Sequence, residues 1–111
     1  MAVQKIDKSE WRGFFDWLSK GLIGARTEIE VASLNIGDQI EAEWLPLLGI
    51  TYDHKDDVLE VALDGLDHLI EHPREVWADP SAGELISFEV IDGRGVSQII
   101  KLREPLMLPS P

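Results

Sequence analysis

The sequence has no cysteine, and that one absence removes disulfides, thiolate metal sites, iron–sulfur clusters and a cysteine nucleophile together; it also fits a reducing compartment. No apolar run approaches the ~20 residues a membrane helix needs. The opening stretch, Met1 to Glu10, mixes charges with isolated apolar residues and does not read as a signal peptide. Positive charge is scarce. Ten Lys and Arg stand against 21 Asp and Glu, for a formal charge of −11, and the field of such a chain repels phosphate backbones and anionic lipid surfaces. Neither nucleic acid nor membrane is expected as a partner, and the composition reads as cytoplasmic.

What is present suffices for a core. The 111 residues are 44% hydrophobic and include four tryptophans, enough apolar area, at roughly 25 cal/mol per Å², to offset the entropy of ordering the chain. That length suits a single domain, residues 1–111, and not two cores. There is no solenoid-period repeat, low-complexity tract or linker.

Trp11, Phe14, Phe15, Leu18 and Leu22 recur at helical spacing, which predicts an amphipathic helix with Gly21 and Gly24 as stopping points. Trp17 lies on the flank of that stripe, where it either extends the core edge or stands exposed as an interaction candidate. From Arg26 the period becomes two. Glu28 and Glu30 alternate with Ile29 and Val31, and Gln39, Glu41 and Glu43 with Ile40, Ala42 and Trp44, which predicts a long antiparallel hairpin with one wet, acidic face. Pro46 and Gly49 suggest that its second strand ends or crosses the core there.

Strands are expected at 50–52 and 58–63 around the turn Asp53 to Asp57, then a short helix near residues 65–72 stopped by Pro73, then a three-stranded meander to Arg103. Residues 103–111 read as an extended tail, in which Leu106, Met107 and Leu108 lie between prolines. Such a segment either straps the core or offers itself to another chain's groove. The fold class expected is α+β: the N-terminal helix packed on a strongly bent, mainly antiparallel sheet of about six to seven strands.

Three stretches could carry chemistry. His68-Leu69-Ile70-Glu71-His72 spells H-x-x-E-H, in which two histidines one helical turn apart bind zinc and a glutamate acts as base. On that pattern His68 and His72 are the metal-ligand candidates, although Pro73 biases His72 away from helical geometry. Asp53, Asp56 and Asp57 could hold a hard cation, but lack the spacing of a calcium loop and fit a turn whose aspartates bond local amides. Asp92-Gly93-Arg94-Gly95 could cradle a phosphate, but no helix follows, and a hairpin turn accounts for it. No serine sits in a nucleophile elbow.

Ala42-Glu43-Trp44-Leu45-Pro46-Leu47-Leu48-Gly49-Ile50-Thr51-Tyr52-Asp53, continuing through Lys55-Asp56-Asp57-Val58-Leu59-Glu60-Val61, together with the closing Pro105-Leu106-Met107-Leu108-Pro109, resembles a family of bacterial proteins of about this length catalogued only as a domain of unknown function. The resemblance covers nearly the whole chain. Members carry proline where this chain has His54, which supports a turn there and weakens any metal role for that histidine. The resemblance implies a single bacterial domain and brings no activity, cofactor or catalytic residue.

With no complete catalytic set, the leading expectation is a non-catalytic cytoplasmic interaction or accessory module that presents an acidic face to a protein partner and needs no cofactor. The alternative is a small-molecule-binding protein or small enzyme with a pocket between helix and sheet; a zinc hydrolase built on the HLIEH stretch is the third. A homodimer through an edge strand is left open.

Overall fold

Alternation of period two runs through most of the chain, and the backbone follows it. The computed structural model describes residues 4–33, 37–79 and 85–103. Within them lie β1 (Gln4–Ile6), a 3-10 turn (Lys8–Glu10), α1 (Trp11–Gly21), β2 (Arg26–Ser33), β3 (Gly37–Asp53), β4 (Val58–Leu63), β5 (Leu66–Glu71), β6 (Glu75–Asp79), β7 (Leu85–Ile91) and β8 (Ser97–Arg103). The strands form one eight-stranded sheet in the order β1-β6-β7-β8-β2-β3-β4-β5. Every neighbouring pair is antiparallel.

This overturns the expected α+β fold of a helix on six to seven strands. Strand dominates, there are eight strands, and α1 is the one α-helix among the described residues. The short helix expected near residues 65–72 is strand β5. Its sequence deceives because Leu66, Leu69 and Ile70 fit helical spacing as well as a strand does. In the structure Ile70 is buried and His68 half-buried on the inner face, while Asp67, Leu69 and Glu71 are exposed. A histidine facing in and a leucine facing out hide the alternation. The hairpin signal is Asp64-Gly65, a two-residue connection in which Gly65 takes φ of 94°.

β3 does not end at Pro46. It runs unbroken for 17 residues and changes partners, pairing with β2 up to Pro46 and with β4 from Leu47 onward. The change is made at a distortion, where the β2–β3 register slips around Ile29 and Trp44 adopts φ of 56°. The Arg103 guanidinium lies 4.3 Å from the centre of the Trp44 ring, holding the bent corner to the end of β8. The same slip explains a second departure from the pattern: Ile40 pairs with Glu30, on the outer face, and is exposed, whereas Ala42 pairs with Ile29 and is buried.

One side of α1 is buried through Trp11, Phe15 and Leu18, and Phe15 meets Phe88 of β7 with ring centres 5.6 Å apart. Ser19 fastens the helix to β3: its hydroxyl donates to the Ile50 carbonyl at 2.8 Å and accepts from the Ile50 amide at 2.7 Å. Core residues from β4, β5, β7 and β8, among them Leu59, Val61, Ile70, Val90, Ile100 and Leu102, are buried in the same cluster. His68 of β5 touches Gln98 of β8, so the far strand of the sheet has come round to face the middle of it. No helix among the described residues is long and apolar enough to cross a membrane.

Candidate functional site

Where β5 approaches the β7–β8 turn, the two leave an open cleft of about 930 Å³ lined by Lys8, Asp57, Leu69, Glu71, His72, Pro73, Arg74, Asp92, Gly93, Arg94 and Gln98. Its size is that of a small-molecule site. It does not lie between helix and sheet: none of its lining residues comes from α1.

One wall is organised by Asp92, which is 2% exposed. One carboxylate oxygen accepts the amides of Arg94 at 2.8 Å and Val96 at 3.0 Å, closing the turn between β7 and β8. The other accepts the Gln98 side-chain amide at 3.1 Å, with the Arg94 guanidinium at 3.9 Å. Because Gln98 gives its NH2 to a carboxylate, its carbonyl oxygen is what meets His68 Nε2 at 2.6 Å. That nitrogen must therefore carry the proton. Asp92, Gln98 and His68 form a polar chain across the inner face, with each donor and acceptor assigned by its neighbour.

The opposite wall is organised by Asp57. The Tyr52 hydroxyl donates to one of its oxygens at 2.7 Å and His72 Nδ1 meets the other at 3.2 Å. The Tyr52 and His72 hydrogen bonds hold the Asp57 carboxyl below the usual carboxylate range, with the tyrosine's the larger effect, against partial burial that raises it. Burial, then the bond to Asp57, pushes the Tyr52 phenol up to about 12. Asp57 and His72 both take φ of 54°. Aspartate and histidine both enter that region more readily than most side chains, and here the His72 amide pairs with the Asp57 carbonyl at 2.8 Å.

The two walls meet at Gly93. A β-carbon there would lie 2.8 Å from the His72 β-carbon and 3.3 Å from its carbonyl oxygen, so only glycine lets the turn approach this closely. Arg74 bridges the same gap, donating to the Gly93 carbonyl at 2.6 Å. A carbonyl does not neutralise a guanidinium. Three of the chain's ten Lys and Arg, Lys8, Arg74 and Arg94, thus line one cleft beside three carboxylates, of which Asp57 is held by Tyr52 and His72, and Asp92 by the turn amides, Gln98 and Arg94.

The structure brings together stretches that the sequence presents as three unrelated candidates: Asp57 from the aspartate turn, Glu71 and His72 from HLIEH, and Asp92-Gly93-Arg94 from the glycine turn. It separates the two metal-ligand candidates functionally. His68, within strand β5, is bonded to Gln98, and His72, just past its end, to Asp57, and no group of three or more His, Asp or Glu among the described residues is placed to hold a metal ion. Trp17 is 62% exposed and stacks on Phe14 with ring centres 6.4 Å apart, beside a shallow groove over Ile6 and Gly13. Leu106, Met107 and Leu108 lie outside the described residues. Lys8, Arg74 and Gln98 escape sequence reasoning, since nothing local marks a lone cation or amide as part of a site.

Fold and cleft define a small antiparallel β protein with an open, polar, ligand-sized cleft at one seam of its sheet. The chain belongs to a family of unknown function, DUF5335, whose model it matches over residues 2–111. It is similar to an uncharacterized protein of Aquifex aeolicus (strain VF5), 41% identical over 110 residues that cover 98% of this chain and 99% of the relative. No solved structure matches the chain.

Proposed function

We propose that the protein binds a small anionic ligand, carrying a carboxylate or phosphate group, in the cleft between β5 and the β7–β8 turn, and that it acts as a binding or accessory protein in the cytoplasm. The observation that carries this reading is the gathering of Lys8, Arg74 and Arg94 around the close approach of Gly93 to His72, where two of the three lining carboxylates, Asp57 and Asp92, are already taken up by partners within the fold. Guanidinium groups match the planar, bidentate geometry of oxyanions. Leu69 and Pro73 supply an apolar flank for the body of such a ligand.

Titration calorimetry with inorganic phosphate and with a short aliphatic dicarboxylate tests it. Arg74→Gln or Arg94→Gln is expected to weaken binding by roughly 10- to 100-fold, while Lys20→Gln, on α1 and absent from the cleft lining, leaves it unchanged. Equal affinity in the wild type and both arginine variants refutes the site.

A further inference from the structure

Antiparallel pairing alternates residues bonded to their neighbour with residues whose N–H and C=O point the other way. The His72 amide bonds the Asp57 carbonyl, and the register continues through Leu59↔Ile70, Val61↔His68 and Leu63↔Leu66. Residues 66, 68 and 70 are therefore the ones bonded to β4, and Asp67, Leu69 and Glu71 aim their backbone groups away from it. Among the described residues β5 has no partner on that side. The other edge strand, β1, has three residues where β5 has six, so β5 is the longer template.

The side chains on this edge state what would fit. Leu69 is 53% exposed, and across the outer face its row continues to Glu60 and Thr51 while the next row holds Glu71, Val58 and Asp53. The Glu60 and Asp67 carboxyls crowd one another, and that contact raises Glu60 above the usual carboxylate range. A second copy is a poor match. Pairing β5 with itself about Leu69 sets Asp67 directly against Glu71 twice, and a shift of two residues moves the carboxylates only to diagonal positions, so like charges oppose self-association.

The geometry points to β5 as a docking edge for an extended strand of a partner protein that carries an apolar residue and, two positions later, a lysine or arginine. Antiparallel addition places the apolar residue opposite Leu69 and the cation opposite Asp67, within reach of Glu60. The main chain supplies the hydrogen bonds and the alternate side chains the selectivity. Leu69 and Glu71 also line the cleft, but the inference rests on the unpaired strand edge and the Glu60–Asp67 contact and not on anion binding.

The test uses the full chain and a short N-acetylated, C-amidated peptide of threonines with a central valine and a lysine two residues after it; carrying no carboxylate, it does not report on the cleft. In the free protein, backbone amides of Asp67, Leu69 and Glu71 are expected to exchange fast with solvent and those of Leu66, His68 and Ile70 slowly. Adding the peptide should shift and protect the first set, a glutamine in place of the lysine should weaken binding about tenfold, and Leu69→Pro should abolish protection. Proline there removes a donor that β4 does not use, and the glutamine peptide keeps the comparison decisive on the unaltered protein should that variant misfold. Slow exchange at Asp67, Leu69 and Glu71 without peptide means that a second copy or the chain's own residues already cover the edge, and overturns the inference. So does equal binding of the two peptides, or perturbation confined to other strands.

Discussion

Tyr52 is the chain's single tyrosine, and its phenol is pushed up to about 12 by burial and by the bond to Asp57. Absorbance near 295 nm therefore reports one group. In the folded protein the phenolate should appear near pH 12, and in urea near the ordinary 10. A group whose folded value lies above its unfolded one stabilises the fold fully below the unfolded value and loses that contribution as pH climbs toward the folded one, so stability should fall between pH 10 and 12. Tyr52→Phe should flatten that part of the profile. A folded-state titration at 10 contradicts the Tyr52–Asp57 bond. The same bond works in the opposite direction on Asp57: its lowered value means a contribution present above the unfolded carboxylate range and lost as pH falls through the folded one.

At the scale of one element, β5 carries an electrostatic fault that can be repaired. Glu60 is raised first by its hydrogen bond to Asp67, then by burial and by the Asp67 charge, so at neutral pH the two carboxylates repel. Asp67→Asn should raise the thermal midpoint at pH 7 and have little effect at pH 3.5, where the Glu60 carboxyl, raised above its ordinary value, is protonated and the repulsion is gone. A midpoint lowered equally at both values shows that Asp67 contributes by packing or turn geometry instead. β5 also marks how far the sequence is legible. The face of α1 that buries Trp11, Phe15 and Leu18 follows its spacing, because each of those positions is apolar. β5 is hidden because the residue facing the core at its centre is His68, whose partner, Gln98, lies 30 positions away. The cleft is hidden for the same reason: Asp57 and Asp92 read locally as turn formers, which they are, and only the fold shows that the two turns face one another. β3 looks shorter in the sequence than it is because Pro46 has the character of a strand breaker, whereas it sits where the strand exchanges one partner for the next and the ladder is already interrupted.

For the whole molecule, a charge of −11 on 111 residues acts against the compact state through self-repulsion. Raising ionic strength from a few millimolar to about 0.15 M shortens the screening length to about 8 Å, and the thermal midpoint should rise with it. A midpoint that falls with salt indicates that the attractive pairs, such as Lys101 with Glu28 and Glu30, outweigh the net repulsion.

Strand order has a consequence for how the chain is made. β2 lies between β3 and β8, and Ile29, fully buried, is paired across to Ile100. At about 5–20 residues per second of synthesis, Ile29 emerges roughly four to fourteen seconds before its partner exists. In that interval the β2–β3 hairpin has one complete neighbour and one bare edge. Its acidic outer side chains, Glu28 and Glu30, carry like charge on every nascent copy, so they keep neighbouring polypeptides on a polysome from pairing there until β8 arrives.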